Sequence, residues 1–375
     1  MAEPALPHAR QPPLHGRRRD RLRRGAGRAP RTRRCAARAG RRAVRLPLRQ
    51  AHPPCRATPL APASQPSGLR SGVRADAGAE PASAAHRKEI PLPGDSTTNL
   101  GALSRLTPDH VLGAARLVHR GRVYDLGQEL SERVPQGAPG AFTPFSFTWR
   151  TTPEECARDG HAHEFAAETI TGALHVSTHI DGLAHVSAEG RIFGGASVSE
   201  VRRDRGFSSH GMETVPPIIG RGLLLDVAGV LGMDALPDGY EVTVDDLRRT
   251  LDAGGLTIRS GDVVCVRTGK SREYLADPVA YQAGQPGVGP DAAIWLHEQG
   301  MAVLGTDTTG TEPLPFPDER RTTHRAMLVD RGVHLIENLA LDEAARDGVT
   351  EGMLVCLPLK INGATGSWVR PVLLC

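Results

Sequence analysis

The stretch His175-Val-Ser-Thr-His179-Ile-Asp181-Gly-Leu-Ala-His185 places three histidines and one carboxylate within eleven residues. Only Ser177 and Thr178 are polar among the rest. The β-branched Val176, Thr178 and Ile180 favour an extended backbone. Alternate residues of a strand share a face, so His175, His179 and Asp181 would point one way. A helix would align the first two and swing Asp181 off. Four residues of straight strand span roughly 13 Å, near the limit that two imidazoles at about 2.1 Å from one ion can bridge. His175 therefore joins the others only if the chain bends near Ser177. His179 and Asp181, about 7 Å apart at Cα, can share an ion easily. Gly182 then breaks the strand and lets His185 curl back. A lone histidine is ordinarily a satisfied core or surface group; these four side chains together point to a metal. Imidazole plus carboxylate suits zinc, manganese or iron(II), and no nearby thiolate selects among them.

The stretch resembles the H-x-G-T-H-x-D-x-P-x-H signature of the metal-dependent cyclase superfamily, which includes bacterial kynurenine formamidase and isatin hydrolase. Ser177 stands at the signature glycine and Leu183 at its proline, while all four ligand-type residues keep their spacing. Both departures touch backbone shape, and so bear on substrate class more than on metal binding. The resemblance runs from about Val123 to the C-terminus, through Leu223-Leu-Leu-Asp226, Gly261 to Gly269, Gly305-Thr-Asp307 and Leu357-Pro-Leu-Lys-Ile. It implies an α/β fold, a swivelling β/β/α domain with a mixed sheet and barrel-like core, assembled as a homodimer or homotetramer.

A catalytic metal usually takes three protein ligands and keeps one position open. His175, His179 and Asp181 meet that count, and Asp181 could bridge to a second ion about 3.5–4 Å away. Candidates for that ion lie in Arg321-Thr-Thr-His324 and Gly332-Val-His334-Leu-Ile-Glu337-Asn338. Glu337 follows an apolar run, an unusual place for a carboxylate without a partner, and an ion pair with a nearby arginine such as Arg331 would explain it equally well. The resemblance breaks the tie, because the family carries a late His and a late Glu in an H-R-x-L-L…I-I-E-N-L context. It implies His324 and Glu337 as ligands, with His334 a rival to His324.

Charge divides the chain. Residues 1–50 hold 16 Arg against Glu3 and Asp20, a balance of +14, whereas the whole chain is +4, so the body carries −10. Residues 1–100, rich in Arg, Pro and Ala, show no sustained apolar period and are expected to be a disordered extension. An organelle leader, a phosphate-binding arm and an unselected extension compete for it. No aromatics interleave with the arginines, which argues against nucleic acid. Residues 101–375 form the expected catalytic domain. No apolar run approaches the ~18 residues of a membrane span. The six cysteines include no C-x-x-C pair, and Cys265 and Cys356 sit in apolar runs; this favours a reducing, cytoplasmic setting.

Order is expected to begin near Thr107-Pro108, with a helix carrying Val111, Leu112, Ala115 and Leu117-Val118 inward and closing at Gly121. Val123–Leu126 reads as a strand. Phe142, Phe145, Phe147 and Trp149 gather in a turn-rich stretch, as a pocket lining or a satellite cluster. His161, His163 and Glu164 read as surface. Arg191 to Gly195 begins a loop suited to lie over the site. Strands at Gly222–Val227, Asp262–Arg267 and Ala302–Gly305 alternate with helices opening at Thr243 and Pro290, the pattern of a parallel or mixed sheet. Leu354–Ile361 and Pro371–Leu374 read as closing strands. No glycine-rich phosphate loop suggests a nucleotide.

The residues and the resemblance together lead to a metal-dependent hydrolase of a small amide or lactam-like substrate. His175, His179 and Asp181 would hold a divalent metal, zinc or manganese, as one ion or two. His185 would act as general base, and Thr178 would help orient a ligand. The alternatives are a hydrolase or dehydrating cyclase acting on another cyclic or ester substrate, and a non-catalytic binding module.

Overall fold

A computed structural model describes residues 98–135, 144–318 and 320–375. Its centre is a curled, nine-stranded mixed sheet. In spatial order the strands are Val123–Asp125, Val372–Leu374, Glu351–Cys356, Ile218–Asp226, Val263–Arg267, Val303–Thr306, His334–Glu337, His179–Asp181 and Gly366–Trp368. The four from Ile218 to Glu337 run parallel, and the flanking pairs are antiparallel. The mixed α/β fold expected from the sequence is present.

Side-chain alternation splits the interior in two. Leu223, Leu225, Val264, Val266 and Leu304 pack with Leu247, Leu251, Ala293 and Leu296 of two helices. Their alternates Leu224, Val263, Cys265 and Val303 pack with Ile180, Ile336, Leu354 and Leu373 on the other face. The two helices, Val244–Gly254 and Pro290–Gln299, begin and end as their sequences direct. The Thr243 hydroxyl accepts the Asp246 N–H, and Gly255 takes the left-handed conformation (φ 60°) that closes the helix.

Several expectations change. Order is present earlier than Thr107: a 3₁₀ segment, Thr98–Arg105, buries Ala102 and Leu103, and the Ala102 N–H donates to the Gly332 carbonyl at 2.8 Å. The next helix spans only Pro108–Ala115 and turns Ala114 inward, leaving Leu112 59% exposed. The strand at Glu351 stops at Cys356 instead of running to Ile361, and Leu357 and Leu359 are exposed; Pro358 has no N–H to extend a ladder. Phe193 packs against Gly332, where an added Cβ would lie 2.5 Å from its ring.

The aromatic group divides. Phe145 is buried against Trp368, while Phe147 and Trp149 are exposed on the hairpin of Ser146–Thr151 and Ala167–Thr171. Phe142, like the Arg-rich residues 1–97, lies outside the described residues. His161, His163 and Glu164 are exposed, as expected. Among the described residues Cys156, Cys265, Cys356 and Cys375 are free and buried, and no helix is long and apolar enough to cross a membrane.

Candidate metal centre

Pairing register builds the site. In the strand His179–Asp181, His179 lies opposite Glu337 on one side and Trp368 on the other, and Asp181 lies opposite Leu335 and Gly366. Opposed residues of antiparallel strands share a face, so His179, Asp181 and Glu337 converge while Ile180 enters the core. The strand itself is only three residues long. Ser177 takes φ 56° and bends the chain there, which brings His175 back onto Asp181. The His175 Nδ1 lies 2.7 Å from Asp181 Oδ1, and its Nε2 lies 3.0 Å from the Thr365 hydroxyl.

The His179 Nδ1 lies 2.9 Å from the Ser177 carbonyl, which can only accept, so that nitrogen carries a proton. Its Nε2 faces Asp181 Oδ1 at 3.3 Å and Glu337 Oε2 at 3.4 Å. His324 enters from the far segment, with Nε2 3.3 Å from both Asp181 Oδ2 and Glu337 Oε1 and Nδ1 2.5 Å from Glu312. The Thr311 hydroxyl donates to Glu337 Oε1 at 2.9 Å. His185 stacks on His175, ring centroids 3.8 Å apart and 19° from parallel.

Electrostatics follow from burial and crowding. Burial opposes the charge on Asp181, but the surrounding imidazoles outweigh it and hold the carboxyl well below its usual range. Burial and the Asp181 charge push Glu337 up. Burial also works against charge on His179, yet Asp181 and Glu337 hold it above its ordinary value. His185 is pushed down to about 4, mainly by burial.

A divalent cation fits this donor set. Asp181 and Glu337 are almost fully buried, and among the described residues only histidines pair with them. Asp181 Oδ2 has no hydrogen-bond donor in proper geometry. Two buried carboxylates without lysine or arginine are costly unless a cation joins them. Ligand atoms of His179, Asp181 and Glu337, and separately of His175, Asp181 and His185, lie within 4.8 Å of one another. The second group makes His185 a candidate ligand as well as a candidate base.

The structure separates the rivals. His324 reaches the carboxylates, whereas His334 shares the opposite face of its strand with Ile336 and its Nδ1 finds no partner. Burial pushes His334 down to about 4. Arg331 donates to the Ala326 carbonyl and leaves Glu337 alone. The Thr178 hydroxyl is committed to backbone, donating to the Asn338 carbonyl and accepting the Gln128 N–H, both at 2.7 Å. Sequence reading missed Thr311, Glu312 and Thr365, which lie in loops with no periodicity to betray them, and Gly366, which opens the short strand Gly366–Trp368.

Gly366 is a sharp case. A Cβ there would lie 2.5 Å from His175 Cε1, so Gly366→Ala should displace that imidazole. Metal affinity should fall by ~10–100-fold, the usual loss when a supporting position fails, as measured by competition with a chromogenic chelator. Unchanged affinity would show that His175 is not a ligand.

Known proteins are similar to this chain in sequence and in fold. A kynurenine formamidase of Bacillus cereus is 26% identical over 251 residues, 66% of this chain and 95% of that protein. A crystal structure described as a novel cyclase superimposes with a TM-score of 0.67 at 28% identity, covering 74% of this chain and 94% of the other. Isatin hydrolase A from Labrenzia aggregata shares the fold, with a TM-score of 0.52 at 22% identity over 67% of this chain and 92% of its own. The Cyclase family model matches residues 124–313, which include the whole His175–His185 motif but neither His324 nor Glu337. Motif, sheet and match over half of the sequence agree: the chain belongs to the Cyclase family.

Proposed function

We propose that the protein is a metal-dependent hydrolase that adds water across the C–N bond of a small amide or lactam-like substrate. The observation that carries the reading is the buried pair Asp181 and Glu337, ringed by imidazoles and by no other cation among the described residues. The kynurenine formamidase likeness supports it. His175, His179, Asp181, His324 and Glu337 would hold one ion or two, with Asp181 common to both groups of close donors; the donor set suits zinc or manganese. Such an ion lowers the pKa of water towards ~7 and polarises a carbonyl oxygen.

The chain's own residues do the rest. The Ser177 carbonyl, Glu312 and Thr311 fix His179, His324 and Glu337 in turn, which orients the nitrogens and oxygens that face the centre. His185 takes the proton of the attacking water and returns it to the leaving nitrogen, giving an acid and an amine. A base beside the ligands favours an enzyme over a binding module. Buried free cysteines support a cytoplasmic setting, and the family resemblance supports a homodimer or homotetramer.

Elemental analysis of the purified protein, paired with formate release from an arylformamide, tests the reading. At least one zinc or manganese per chain is expected. Chelation should bring turnover to background and re-addition of the metal should restore it. Metal-independent turnover would overturn the proposal.

A further inference from the structure

Ser177 occupies the left-handed region at φ 56° although it carries a Cβ, and it stands where the signature has glycine. An L-residue is disfavoured there, and such strain persists where function retains it. Glycine would fit the same bend without strain, so the bend alone does not account for a side chain. Ser177 is 3% exposed, and the nearby Tyr274 hydroxyl, on a residue 1% exposed, has no hydrogen-bond partner among the described residues. Ser177 also lines an open cavity of about 740 Å³ with Leu130, Leu357, Leu359 and Trp368. Trp368 is the register partner of His179 and the Ser177 carbonyl anchors the His179 ring, so two residues of this lining adjoin a candidate metal ligand.

We propose that Ser177 determines substrate specificity: its hydroxyl, presented beside that of Tyr274, donates to a polar acceptor on a neutral aryl or alkyl carbonyl substrate whose apolar body lies in this cavity. This rests on the hydrolase reading for the reaction but not for the binding. Neutrality follows from the lining. Its cation, Arg370, is ion-paired to Asp125 at 2.6 Å, and Glu129 is paired to Arg133 at 3.4 Å. A carboxylate on the substrate would find no free cation in this lining.

The test separates strain from contact. Ser177→Gly should raise Tm by about 2–4 °C, because the strain is relieved, and should raise KM for formanilide by about tenfold, the worth of one hydrogen bond. The loss should fall in KM more than in kcat. Ser177→Ala, which keeps the strain, should show the same KM change without the gain in Tm. N-formylanthranilate, which carries a carboxylate, should be the poorer substrate of the wild type. Binding of formanilide, followed by calorimetry on the metal-loaded protein, gives a readout independent of turnover. Binding without hydrolysis, weakened in both variants, would sink the hydrolase reading and leave this one standing. No binding by the wild type, an unchanged KM and binding constant in Ser177→Gly, or a preference for the carboxylated substrate would overturn it.

Discussion

Replacing His185 by alanine should leave the metal in place and lower kcat by ~10²–10⁴, the usual size of a general acid–base contribution. The expectation rests on position. His185 lies flat against His175, and its nitrogens group with His175 and Asp181 but not with Glu337, so its ring is at the edge of the centre. Its nitrogen is also close enough to Asp181 and His175 to serve as a ligand, and the variant decides between the roles. Metal content by elemental analysis and kcat should be measured on the same preparation. Full metal with full turnover would end the proposed chemistry. Loss of metal would move His185 into the chelate and require another base.

His179→Ala should abolish both metal content and activity. This imidazole faces both buried carboxylates through one nitrogen, and its other nitrogen is anchored to the Ser177 carbonyl. Without it Asp181 and Glu337 remain buried with fewer donors and no cation. Breaking such a buried charge arrangement commonly costs about 3–5 kcal/mol. A large fall in Tm should therefore accompany the loss, in contrast to His185→Ala. His334→Ala supplies the comparison: it also removes a fully buried imidazole, but one on the opposite face. It should lower Tm and keep the metal. A His179→Ala protein that binds metal normally would show that the centre lies elsewhere.

What the sequence made legible was local. The bend required at Ser177 followed from the reach of two imidazoles, and it is present. The parallel strands announced themselves as apolar runs, and Thr243, Gly255 and Gly300 marked helix ends because caps depend on single residues. What escaped depended on distant partners. Nothing near Gly366 tells of an imidazole contributed almost two hundred positions earlier. Glu312 sits in a polar run whose composition reads as an ordinary loop. Leu357 and Leu359 look like strand residues but flank Pro358 beyond Cys356, where the ladder ends. His324 and His334 could not be ranked by spacing; strand alternation ranks them at once.

The three-residue strand His179–Asp181 has consequences for biogenesis. Its two neighbours, His334–Glu337 and Gly366–Trp368, are made long after it, so on the ribosome it waits unpaired until nearly the whole chain has emerged. Contacts of such sequence separation close late in folding. A slip of one residue would turn Ile180 towards the carboxylates and His179 into the apolar interior, so a misregistered chain has no competent chelate. Only the correct pairing gathers the donors, so ion capture would report that the strand His179–Asp181 has found its register against His334–Glu337.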